Sequence, residues 1–83
     1  RSEGRYKLGD YLGTIEDCSQ SIKSESDIVR AYFFRASARN ELGNYQEAID
    51  DCDLAIYRYQ DKPKYVKGQY FERLLSLRSQ LTR

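Results

Sequence analysis

Two carboxylate pairs and two thiols are the groups in this 83-residue chain best able to do chemistry: Glu16-Asp17, Asp50-Asp51, Cys18 and Cys52. Neighbouring carboxylates can share general acid and base roles, and a thiolate can attack an electrophile or hold a soft metal. Each of these jobs needs further residues. The chain has no His, so neither Ser-His nor Cys-His activation is open to it. The cysteines also lack the Cys-x-x-Cys spacing of a structural zinc site. Both acidic pairs fall on what the flanking apolar pattern marks as polar helix faces, where solvated structural acids are expected. The expectation is a chain that is not an enzyme and holds no metal or cofactor.

These groups recur because the segments carrying them recur. Leu8-Gly9-Asp10-Tyr11 returns 34 residues later as Leu42-Gly43-Asn44-Tyr45. Between 8–24 and 42–58, seven positions are identical without a gap: Leu8/Leu42, Gly9/Gly43, Tyr11/Tyr45, Ile15/Ile49, Asp17/Asp51, Cys18/Cys52 and Ile22/Ile56. A fixed period of this size marks a stacked repeat array, whose units bury their apolar faces against one another. Equivalent positions in successive repeats lie about one repeat apart, beyond the ~7 Å between Cα atoms that a disulfide tolerates. Cys18 and Cys52 therefore read as two small buried thiols, and free thiols point to a cytoplasmic, reducing home.

The elements that position these residues follow from spacing. Residues 30–42 hold Ala31, Tyr32, Phe34, Ala36, Ala38 and Leu42 among good helix formers, with no Gly or Pro. Gly43-Asn44 ends that helix, Gly serving the left-handed position. Tyr45, Ala48, Ile49, Cys52, Ala55, Ile56 and Tyr59 then recur at spacings of three and four, which makes a second amphipathic helix. Two punctuating residues between helices imply an antiparallel hairpin.

Upstream, Tyr11, Ile15, Cys18 and Ile22 repeat the second helix, while its partner is cut short to about Gly4–Leu8. Ser24-Glu25-Ser26-Asp27 reads as the connecting loop, with Asp27 as N-cap of the next helix. Pro63 suits the first turn of a last helix over 64–81, where Val66, Tyr70, Leu74, Leu77 and Leu81 form one stripe beside Phe71 and Leu75. The expected organisation is a partial first unit over 1–28, a complete unit over 29–62 and a C-terminal capping helix over 63–83. The fold class is all-α.

Net charge is +1, but residues 41–61 carry six acids against Arg58 alone, and 62–83 carry six bases against Glu72 alone. An acidic helix followed by a basic one implies mutual attraction or two faces with different partners. No segment reaches the roughly 20 apolar residues that span a bilayer, so no membrane is expected as partner. There is no Met, even at position 1, and the chain opens inside a repeat, so it reads as a piece of something longer.

Period and motif together resemble the tetratricopeptide repeat. The matching residues are Tyr32, Ala36, Gly43, Tyr45, Ala48, Ile49, Ala55 and Ile56 in the complete unit, with Gly9, Tyr11, Ile15 and Ile22 in the first. Arg35, Arg39 and Cys52 depart from the family's apolar preferences, and Pro63 arrives late. The resemblance implies an α-solenoid of helical hairpin repeats whose first helices line a concave face. It further implies a scaffold or adaptor that docks a protein or peptide partner there.

Mapped by similarity, the partner-binding positions are Arg30, Phe33, Ser37 and Asn40, with Phe34 at the edge and Lys64, Lys67 and Phe71 on the last helix. Phe33 is expected as an exposed apolar anchor, and Lys64 and Lys67 as grips for carboxylates. The resemblance extends to co-chaperones that hold the acidic C-terminal tail of a chaperone. Of their carboxylate-binding set only Lys64 is matched, with Phe34 and Gly68 standing where Asn and Arg are wanted. An altered groove in a co-chaperone or assembly factor is the form this takes.

Two rival readings compete with this one. Nucleic acid would use the basic last helix with Tyr65, Tyr70 and Phe71 as stacking platforms. Those aromatics are needed in the buried stripe, and the acidic helix before them repels phosphate, so no nucleic acid is expected. The stronger rival is a homo-oligomer formed through the incomplete first repeat, where Tyr11, Ile15 and Ile22 lack cover.

Overall fold

Gly9 and Gly43 set the chain's course. In a computed structural model that describes residues 2–82, both adopt left-handed backbone, with φ of +81° and +84°. Arg1 and Arg83, which begin the first expected unit and end the last, lie outside the described residues. Around Gly9 the amide of Gly9 donates to Tyr6 O at 3.0 Å, and that of Asp10 to Arg5 O at 2.8 Å. One stride on, Gly43 donates to Asn40 O at 3.1 Å and Asn44 to Arg39 O at 2.8 Å. This is the Schellman closure, which satisfies the last carbonyls of a helix and needs a residue without Cβ strain at the turn. The next residues match as well, Asp10 at φ −84°, ψ 75° and Asn44 at φ −86°, ψ 65°.

The described residues form six helices: α1 (Ser2–Lys7), α2 (Tyr11–Lys23), α3 (Ile28–Glu41), α4 (Tyr45–Tyr59), α5 (Lys64–Lys67) and α6 (Tyr70–Leu81). The described residues form no strand. Helix α3 is central, packing on α1, α2, α4 and α6. Its Ile28, Val29, Tyr32 and Ala36 meet Ala48, Cys52 and Ala55 of α4 and Phe71, Leu74 and Leu77 of α6. On its other side Ala31 and Phe34 meet Cys18 of α2, with Tyr6 packed alongside. Small residues at 36, 48 and 55, all fully buried, let the helices approach closely.

Three expectations need correction. The last helix is not continuous over 64–81. Gly68, at φ +72° and ψ −178°, takes a conformation outside any helix, so the chain breaks into α5 and α6. Val66 then sits before the break and is exposed, and the buried stripe of α6 is Phe71, Leu74 and Leu77. Asp27 stands at the start of α3 but makes no side-chain cap, because it is held left-handed at φ +49° rather than in the extended region a cap requires. Tyr45, expected in the apolar stripe of α4, is 59% exposed. Its counterpart Tyr11 rests edge-on against Tyr6, and the residue equivalent to Tyr6 is Asn40, which offers no ring.

Candidate functional site

Helix α3 carries most of the expected binding residues, and its two sides do different things. One side holds Arg35 and Arg39, four residues apart. Arg35 donates from Nε to Asp51 Oδ2 at 3.1 Å and from Nη2 to Oδ1 at 2.7 Å, and Arg39 Nη1 reaches Oδ2 at 2.9 Å. Arg35 Nη1 also donates to Ser19 Oγ at 3.1 Å, tying α2 to the same cluster. Asp51 is 1% exposed, so the expectation of a solvated acid at this position is overturned. A buried carboxylate keeps its charge only when paired and hydrogen-bonded, and two guanidiniums supply that. The equivalent pair one stride back is Arg5 with Asp17, joined at 2.8 Å but more open to solvent. The arginines that depart from the tetratricopeptide pattern therefore have a structural task here.

The other side of α3 faces α6. Phe33 is half-buried, its ring 5.3 Å from that of Phe34 and 5.4 Å from that of Tyr70, so it is not the fully exposed anchor expected. Beside it runs a groove of about 340 Å³, walled by Phe33 and Ser37 from α3 and by Glu72, Arg73, Ser76, Leu77 and Gln80 from α6. The Arg73 guanidinium lies 5.1 Å from the centre of the Tyr70 ring and has no carboxylate partner among the described residues.

The remaining expected residues are dispersed. Arg30 lines a separate recess of about 660 Å³ with Lys67, Tyr65 and Tyr70. Its Nη2 is held by Glu3 Oε1 at 2.7 Å, which keeps the Glu3 carboxyl below its ordinary range and the guanidinium above its own. Phe34 and Phe71 are core residues, each 6% exposed, and offer a ligand almost nothing. Ser37 is equally buried yet reaches the groove wall. Asn40 is half-buried and lines neither recess. Lys64 and Lys67 sit on α5 and face a third recess with Phe71 and Leu75.

Arg73, Ser76 and Gln80 were not anticipated. The signal was present: spacings of three and four from 73 to 80 trace a second face of α6 beside its apolar one. What hid it was the expectation that binding would concentrate at residues 64–71, before the Gly68 break.

Cys18 and Cys52 are buried and form no disulfide, and burial, followed by the charges of Asp51 and Asp53, pushes the Cys52 thiol up to about 12. No described helix is long and apolar enough to cross a membrane. No protein-family model, curated protein or solved structure matches the chain.

Proposed function

We propose that the chain is a tetratricopeptide-type array of helical hairpins, an α-solenoid ending in a capping helix, and that it is a protein-interaction module rather than a catalyst. Support for the architecture comes from the two matched junctions and from the Arg–Asp bridges recurring at one stride. The first helices of successive hairpins also touch, α1 with α3 and α3 with α6, as the lining of a common face requires. The docked ligand on this reading is a partner segment with an acidic residue and a bulky apolar one.

One observation carries the binding role. The α3–α6 groove sets the Phe33 ring and Leu77 beside an Arg73 cation that makes no ion pair among the described residues, although Glu72 lines the same groove. An apolar wall next to an unpaired, ring-backed guanidinium suits such a segment, since Arg forks onto carboxylates and the ring holds it in place. Lys64 and Lys67 face elsewhere, so a lysine grip on a chaperone tail is not part of the proposal. Against catalysis stands the Cys52 thiol, which has no thiolate near neutral pH.

The test is chemical-shift mapping with short synthetic peptides carrying two acidic residues and one aromatic residue. Resonances of Phe33, Ser37, Arg73 and Ser76 should move together, and Arg73→Glu should weaken binding by about fivefold or more. Shifts confined to other faces, or undiminished binding by Arg73→Glu, would contradict the proposal.

A further inference from the structure

We infer that the outer face of α4 and the recess beside α5 are two halves of a self-docking surface that binds a second copy of this chain. The repeat supplies an internal control for the first half. At equivalent positions α2 carries Glu16, Gln20 and Lys23, whereas α4 carries Asp50, Leu54 and Tyr57. On this solvent-facing strip Gln20 and Lys23 of the first hairpin thus have apolar counterparts in the second, while Glu16 keeps an acidic one in Asp50. Leu54 remains 48% exposed and Tyr57 77%, and with Asp50 and Asp53 they wall a shallow recess of about 480 Å³. Contiguous exposed apolar side chains rimmed by charge mark an association surface.

The second half is also apolar and is net basic, with two lysines against Glu72. Lys64, Tyr65, Lys67, Glu72 and Leu75 surround about 700 Å³ of open space beside the Gly68 break, with the largely buried Phe71 also in the lining. Tyr65 is 87% exposed and Leu75 39%. Lys64 has no carboxylate partner among the described residues, and Lys67 Nζ lies over the Phe71 ring at 4.7 Å. An occupant of this recess needs apolar side chains at helical spacing with carboxylates beside them. The chain's own α4 has that pattern in Glu47, Asp50, Leu54 and Tyr57.

Both halves are on every molecule, so two copies can exchange them reciprocally in a closed pair. With a net charge of only +1, the whole molecules barely repel, and the local acidic-to-basic match sets the register. This surface shares only Glu72 with the α3–α6 groove, and no variant proposed for either test touches Glu72, so the two proposals can fail separately.

Sedimentation equilibrium across concentrations tests the inference directly. The mass should rise from 9.8 kDa toward twice that value as concentration increases, and about 0.5 M salt should weaken the association about tenfold. Leu54→Gln with Tyr57→Lys copies the first hairpin's own residues and should give a folded monomer of unchanged helicity. Lys64→Glu with Lys67→Glu, and separately Glu47→Lys with Asp50→Lys, should each self-associate at least about tenfold more weakly. An equal mixture of those two charge-reversed proteins should recover association, because every acidic face again meets a basic one. A parent chain that stays at 9.8 kDa throughout, variants that associate as the parent does, or a mixture without recovery would each overturn the inference.

Discussion

Arg35 takes both oxygens of Asp51, through Nε at 3.1 Å and Nη2 at 2.7 Å, at a position where the carboxylate is almost wholly excluded from water. With Ser19 on its remaining nitrogen, this one side chain joins α2, α3 and α4. Such a pair adds less net stability than its geometry suggests, but removing one member leaves a charge without compensation.

Asp51→Asn should therefore destabilise the fold by about 2–4 kcal/mol, somewhat under the loss for a fully buried pair because Arg35 and Arg39 retain some solvent contact. Asp17→Asn, at the equivalent but more exposed place, should cost only a small fraction of that. Urea unfolding of the two variants side by side checks this. Equal losses would mean that Asp51 is not the buried member.

Left-handed backbone supplies a second pair of expectations. Gly43 has open space around its Cβ position, so Gly43→Ala acts through backbone strain alone and should cost about 1 kcal/mol. Glu25 holds φ of +56° in the loop before α3, and Glu25→Gly should relieve a strain of about the same size, less the entropy glycine adds to the unfolded chain. Thermal melts should move in opposite directions for the two variants.

The raised Cys52 thiol makes stability depend on alkaline pH. The folded state keeps the thiol neutral up to about 12, while the unfolded thiol ionises near its ordinary value. The contribution is therefore complete below the ordinary thiol pKa and is lost as pH climbs toward the folded one. Stability should fall more steeply between about pH 9 and about pH 12 in the parent than in Cys52→Ala, measured by urea unfolding. A thiol reagent near neutral pH should modify Cys52 only after unfolding.

Acid acts through the junction. Asp10 accepts from the Gly13 amide at 3.0 Å and, next in weight, from Arg5, and both hold its carboxyl below the usual range. Its contribution is present above the unfolded aspartate value of about 4 and disappears as pH falls through the lower folded one. The stability gap between the parent and Asp10→Ala should accordingly close in acid, as followed by circular dichroism melts.

The hairpin over 28–59 was legible because identical residues at one stride demand like structures, and Gly9 and Gly43 are the only kind of residue that takes the turn without strain. The burial of Asp51 was not, since a charge run ordinarily lies in solvent and its neutralising arginines belong to another helix. Their placement four apart on α3 was the available sign. The split of the last helix was written in Gly68, but an apolar stripe running through it argued for continuity. Among the expected binding residues, the family resemblance pointed to Phe33 and Ser37, which line the α3–α6 groove. It did not show that Phe34 and Phe71 are taken up by the core, because side-chain direction depends on where α6 packs.

The account rests on the two Gly-centred junctions being one structure used twice. Residual dipolar couplings measured over residues 4–22 and 38–56 test this most directly. A single local geometry should fit both segments, with positive φ at Gly9 and Gly43 and a bridge from Arg5 to Asp17 mirrored by Arg39 to Asp51. Couplings that require different backbones for the two segments would contradict it.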